Sequence, residues 1–119
     1  MKILMAGKKQ DILIKREELL TELFPDSESI SFLDPLLAVK YCVDHRVDMV
    51  ISDFSLPMID GIQMIKLLRS QNRLVLPILI EEEERHGSDA EKLGIGYLTE
   101  PVTADELRAV YELLRDGEE

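Results

Sequence analysis

Val47-Asp48-Met49-Val50-Ile51-Ser52 is an apolar, partly β-branched run that stops at Asp53, and Pro57 and Gly61 punctuate the residues after it before Ile62, Ile65, Leu67 and Leu68 recur at helical spacing. The run predicts a buried strand, then a loop that begins on a carboxylate, then a helix. The same unit repeats outward in both directions. Upstream, Lys2 to Ala6 predicts a strand ended by Gly7, and Ile12, Leu19, Leu20 and Leu23 predict a helix over Lys9 to Phe24. Pro25-Asp26-Ser27 breaks that helix, Ile30 and Phe32 alternate with Ser29 and Ser31, and Asp34-Pro35 supplies an N-cap and a first helical residue for a helix reaching about His45. Downstream, Leu74 to Ile80 predicts a fourth strand, residues 81–88 are polar, and Ser88-Asp89-Ala90-Glu91 fits a capping box that starts a short helix late. Gly94 ends it, Ile95 to Leu98 predicts a fifth strand, and Thr103 to Glu106 opens a last helix with the stripe Leu107, Val110, Tyr111 and Leu114.

Five βα units in a row imply an α/β fold, a parallel sheet with helices on both faces, because each right-handed crossover deposits its helix on one side. In such a sheet the functional site lies beyond the carboxyl ends of the strands. The residues there are Ala6 to Lys9, Asp53 to Asp60, Glu81 to Glu83 and Thr99 to Pro101.

The chain's 119 residues suffice for one hydrophobic core, so a single domain over residues 1–119 is expected. At 45% hydrophobic and 32% charged, the composition excludes disordered and low-complexity classes. Asp and Glu number 24 against 14 Lys and Arg, and the resulting charge of −10 repels phosphate backbones and anionic lipid, so no nucleic-acid or membrane partner is expected. No apolar run approaches a membrane span, and the one cysteine, Cys42, lies in an apolar helical pattern with no activating neighbour, which suits a core residue in a reducing compartment, the cytoplasm.

Residues 50–61, Val-Ile-Ser-Asp-Phe-Ser-Leu-Pro-Met-Ile-Asp-Gly, resemble the phosphoacceptor segment of response-regulator receiver domains, and Gly96-Tyr97 with Glu100-Pro101 resembles their fifth-strand segment. The resemblance spans essentially the whole chain. It implies a flavodoxin-like (βα)5 doubly wound parallel sheet of strand order 2-1-3-4-5, a role in two-component phosphorelay signalling without enzymatic activity, and Asp53 at the position that accepts a phosphoryl group from a histidine kinase.

The chain departs from that family wherever phosphoryl transfer needs help. Such transfer places negative charge on oxygens that a divalent metal and a cation must neutralise. Where receivers carry an acidic pair that holds Mg²⁺, this chain has Gly7-Lys8, so Mg²⁺ binding is expected to be weak or absent and no cofactor is expected. Where they carry a Ser or Thr after the fourth strand, it has Glu82, or Glu81 one residue away, an acceptor-only anion in place of a hydroxyl donor. Where they carry a Lys before the fifth-strand proline, it has Glu100 before Pro101. Either Lys8 is a built-in cation facing Asp53, Glu82 and Glu100, or Lys8 and Glu100 point into solvent.

These residues imply an atypical receiver that works through protein–protein contact without phosphorylation. The alternative is a working phosphoacceptor that takes a phosphoryl group on Asp53. Expected partners are a histidine kinase or output domain, or a second copy, through the face of the fourth helix, fifth strand and fifth helix that carries Tyr97, Glu91, Glu106 and Arg108. A phosphate ligand at Gly7-Lys8-Lys9 is disfavoured because no Gly-rich or Walker loop is present. Glu81 to Glu84 read as a solvated acidic loop, and His45 and His86 match no metal or triad pattern.

Overall fold

The computed structural model describes residues 1–72 and 74–117. Strands and helices alternate throughout: β1 (Lys2–Ala6), α1 (Gln10–Leu23), β2 (Glu28–Phe32), α2 (Pro35–Asp44), β3 (Met49–Asp53), α3 (Gly61–Gln71), β4 (Leu76–Glu81), α4 (Gly87–Lys92), β5 (Gly96–Thr99) and α5 (Ala104–Asp116). All strand pairings are parallel, in the order β2-β1-β3-β4-β5. This is the parallel α/β sheet expected from the alternation of elements, in the flavodoxin-like order that the resemblance implies.

The strand period of two divides the core into two layers. Leu4, Val50 and Leu79 face Ala38 of α2, Met64, Ile65 and Leu68 of α3, and Ala90 of α4. Ile3, Met5, Ile51, Ile78 and Ile80 face Leu13 and Leu20 of α1 and Leu107 of α5. Both layers are closed, and each fully buried aliphatic side chain contributes about 1.5–3 kcal/mol. Central strands β3 and β4 are buried along their whole length, so their carboxyl ends deliver Asp53 and Glu81 to one edge.

Helix starts follow local chemistry. The Asp34 side chain accepts from the Leu36 N–H at 2.9 Å with Pro35 next in line, and Thr103 and Glu106 form the expected capping box. Asp60 and Gln63 form a further capping box that opens α3, a signal the sequence carried unread. Boundaries shift by one or two residues elsewhere, β3 to Met49–Asp53 and β5 to Gly96–Thr99, and two of the differences have a visible local cause. β4 begins at Leu76 rather than Leu74 because the Asn72 side chain accepts the Leu74 N–H at 3.0 Å and holds a turn there. α4 begins at Gly87, not in a Ser88 capping box, because the chain just before it is held from outside: Glu81 accepts the backbone N–H groups of Arg85 and His86.

Candidate functional site

A cleft of about 680 Å³ opens at the carboxyl edge of the sheet, with Arg16, Asp53, Glu81, Glu82, Glu100 and Pro101 among its lining residues. α1 buries Leu13, Arg16 and Leu20, one helical stripe in which the middle member is a cation. Arg16 is only 7% exposed and Asp53 8%. The Arg16 Nη2 lies 2.7 Å from Asp53 Oδ1 and 2.6 Å from Glu100 Oε1, so one guanidinium spans the carboxyl ends of β3 and β5. Charge-assisted bonds this short, the one to Asp53 between two largely buried side chains, leave little positional freedom to either carboxylate. Two further polar atoms of the pair, Arg16 Nη1 and Asp53 Oδ2, are buried without a hydrogen-bond partner. Asp53 Oδ2 fills the space beside Gly7, where an added Cβ would stand 2.8 Å from it. Gly7 therefore belongs to the pocket by having no side chain.

The cation on Asp53 is thus Arg16 and not Lys8. Lys8 stands exposed in the turn between β1 and α1, at the rim of the cleft. An ammonium there keeps its hydration, whereas Arg16 is carried inward on the buried stripe of α1 and must find carboxylates. The spacing of Leu13, Arg16 and Leu20 was the sequence signal that could have found it.

Glu82 also differs from expectation. It is exposed, while its neighbour Glu81 is 8% exposed and gathers a network. Glu81 Oε1 accepts from the Tyr97 hydroxyl at 2.5 Å, the His86 N–H at 2.8 Å and the Arg85 N–H at 3.3 Å. Its Oε2 lies 2.7 Å from His86 Nδ1, and the His86 ring stacks on Phe54 with centroids 3.8 Å apart. The strand pleat explains the exchange: Glu81 follows Leu79 on the layer that holds α3 and α4, whereas Glu82 has left the strand. His86, to which no role was assigned from sequence, is therefore a partner of the buried carboxylate. Burial pushes the Glu81 carboxyl up, but bonds from Tyr97, from the His86 ring and from the two backbone N–H groups outweigh it and hold the group below its ordinary value. Burial and the hydrogen bond to Glu81 push the Tyr97 phenol up to about 12.

The four residues expected on a partner face differ in exposure and in what they contact. Tyr97 is half-buried and Glu91 is exposed on α4. Glu106 is exposed but occupied at the start of α5, where its Oε1 accepts from the Thr103 hydroxyl at 2.8 Å. Arg108 turns to the other side and donates to the Leu23 carbonyl at 3.4 Å, one of the carbonyls left unpaired at the end of α1. Pro101 is exposed at the cleft, after a cis peptide bond from Glu100.

A magnesium ion needs several oxygen ligands in near-octahedral array. The donors here do not fit it: Asp53 Oδ1 is taken by a guanidinium, Oδ2 is buried against Gly7, and Glu100 is held by the same guanidinium. Among the described residues no group of three or more His, Cys, Asp or Glu side chains is placed to hold a metal.

Known proteins place this geometry in a family. A model of the response regulator receiver domain matches residues 9–112. The cyclic di-GMP phosphodiesterase response regulator RpfG of Xanthomonas campestris is 29% identical over 93 residues, which are 74% of this chain and 25% of the relative. An uncharacterized response regulatory protein of Vibrio cholerae is 28% identical over 100 residues, 82% of this chain and 38% of the relative. The chain therefore spans well under half the length of these curated relatives. Among solved structures, the response regulator TrrA of Thermotoga maritima, in complex with Mg²⁺-BeF, superposes with a TM-score of 0.82 at 23% identity, covering 95% of this chain and 97% of that one. A CheY-like receiver domain from Methanospirillum hungatei superposes at 0.83 with 17% identity, covering 98% and 95%. The likeness to these solved structures is one of fold, and with the family match it establishes that the chain belongs to the response regulator receiver domains.

Proposed function

We propose that residues 1–119 act as one atypical receiver domain, a signalling module that recognises a protein partner without being phosphorylated. The observation that carries this reading is the Arg16 guanidinium seated on Asp53 and Glu100. A carboxylate attacks phosphorus through a free oxygen lone pair, with metal and cation neutralising the transferred group. Asp53 offers one oxygen bonded to Arg16 at 2.7 Å and another that is buried. Glu100 adds a like charge beside any incoming phosphoryl group, and the donor set disfavours Mg²⁺. The domain is not an enzyme on this reading. Its net charge of −10 favours a partner with a basic face, a histidine kinase or output domain in the cytoplasm, and disfavours nucleic acid and membrane. No helix among the described residues is long and apolar enough to cross a membrane.

The test is incubation with a small phosphodonor and Mg²⁺, followed by measurement of acid-stable, hydroxylamine-labile label. The expected result is no label above that of Asp53→Asn. Stoichiometric label lost in Asp53→Asn overturns the reading and establishes the second one, a phosphoacceptor that serves a histidine kinase. What favours that second reading is Asp53 itself, which stands at the carboxyl end of β3 inside a cleft.

A further inference from the structure

Glu81 ties together the end of β4, the loop that follows it and strand β5. From the end of β4 its carboxylate accepts a hydroxyl on β5, two backbone N–H groups of the loop before α4, and the ring nitrogen of His86. The Tyr97 ring lies so close to the first residue of α4 that a Cβ on Gly87 would stand 3.2 Å from its Cε2. The Tyr97 ring therefore packs directly against the start of α4. Asp53 directs its polar contacts the other way, to Arg16 on α1 and through it to Glu100. Among the described residues the two networks share no side-chain hydrogen bond. They meet through ladder-type backbone bonds, Phe54 N–H to the Ile80 carbonyl at 2.9 Å and Glu100 N–H to the Glu81 carbonyl at 2.8 Å, and through the stacking of Phe54 on His86.

We propose that Glu81 is the positioning residue for Tyr97 and the start of α4, so that the α4–β5 surface is preset by this resident carboxylate and does not respond to the state of Asp53. A carboxylate accepting several hydrogen bonds is a strong and directional anchor, and in a half-buried setting its partners lose solvation if they leave it. Glu82 takes no part, being exposed. The groups that face Glu81 are His86, Tyr97 and the backbone of Arg85, and the Glu84 carboxylate lies beside Gly87 at the start of α4. This inference extends the phosphorylation-independent reading to the other layer of the sheet, and each can fail without the other.

The experiment follows the Tyr97 ring by NMR in ¹³C-tyrosine-labelled protein, assigned with Tyr97→Phe, together with amide exchange at Arg85 and His86. Glu81→Ala is expected to shift the Tyr97 signal and to speed exchange at both amides at least tenfold, while Glu82→Ala leaves both within twofold and Asp53→Asn, which breaks the ion pair with Arg16, leaves the Tyr97 signal in place. Should Glu81→Ala fail to fold, Glu81→Gln serves: it keeps one acceptor but no charge, and the Tyr97 phenol should titrate nearer the ordinary 10 than in the wild type. Unchanged Tyr97 signals, exchange and titration in the Glu81 variants overturn the proposal, and so does an Asp53→Asn effect as large as theirs. Label on Asp53 from a phosphodonor, with Tyr97 unmoved, would sink the phosphorylation-independent reading alone.

Discussion

Arg16 is a charged residue on a helix stripe otherwise given to leucine, and the two carboxylates at its tip account for its being there. Removing one member of a buried ion pair strands the other, at about 3–5 kcal/mol, whereas replacing the whole pair by apolar side chains is often close to neutral. Arg16→Met is accordingly expected to lower the urea-unfolding free energy by about 3 kcal/mol, with Glu100 contributing less than Asp53 because it is more exposed. Adding Asp53→Leu to Arg16→Met should recover most of that loss. Lys8→Ala, at an exposed turn, should stay within about 0.5 kcal/mol of the wild type. A Lys8→Ala loss as large as that of Arg16→Met would reassign the cation. Gly7→Asp, which would restore a family carboxylate, meets Asp53 Oδ2 at its first side-chain carbon and is expected to destabilise rather than to recruit Mg²⁺.

Element ends do the positioning at this site. α3 begins so close under β3 that a Cβ on Gly61 would stand 2.2 Å from the Asp53 carbonyl oxygen, while the Gly61 N–H donates to the Phe54 carbonyl at 2.7 Å. Gly61→Ala must push the helix off the strand end, and a loss above about 2 kcal/mol by thermal or urea unfolding is expected. Thr103→Ala removes only a cap and should lose about 1 kcal/mol. The end of β4 makes stability depend on pH in two windows. Glu81 titrates lower in the folded chain than in the unfolded one, so its contribution is present above the ordinary carboxylate range and fades as pH falls through its folded value. Tyr97 is raised to about 12, so its contribution is present below the unfolded phenol value and fades as pH rises from about 10 towards 12. Urea midpoints measured across pH should show both losses in the wild type, and Glu81→Gln should flatten the acid side. A Glu81→Gln profile as steep as the wild type would remove Glu81 from the account.

Across the whole molecule the net charge of −10 sets how the domain meets others. Added salt screens both self-repulsion and the attraction to a basic partner, so stability should rise modestly with ionic strength while partner affinity falls. With the α4–β5 surface preset, association with a partner or a second copy should be insensitive to beryllofluoride and sensitive to Tyr97→Ala. Calorimetry with and without the phosphoryl mimic checks this, and a mimic-dependent change of tenfold or more would return the domain to the phosphoacceptors.

By itself the sequence determined the fold and the edge where the site lies, because both rest on local, periodic information. Short apolar runs alternating with amphipathic ones dictate parallel βα units, and Asp34-Pro35 and the Thr103 capping box mark helix starts within a single turn. Asp53 at a strand end was equally legible there, and the resemblance to receiver domains marked Glu100 as standing where they carry a lysine. Which charge meets which was decided only by tertiary structure. Arg16 and Glu100 are 84 residues apart, and Tyr97 and Glu81 are 16 apart, so neither contact has a local signature. Lys8 was the cation beside the end of β1, but the helical period carried Arg16 inward, and the strand pleat chose Glu81 over Glu82. A buried charge takes whichever opposite charge the packing brings within reach, and packing is a property of the closed sheet and not of any stretch of it.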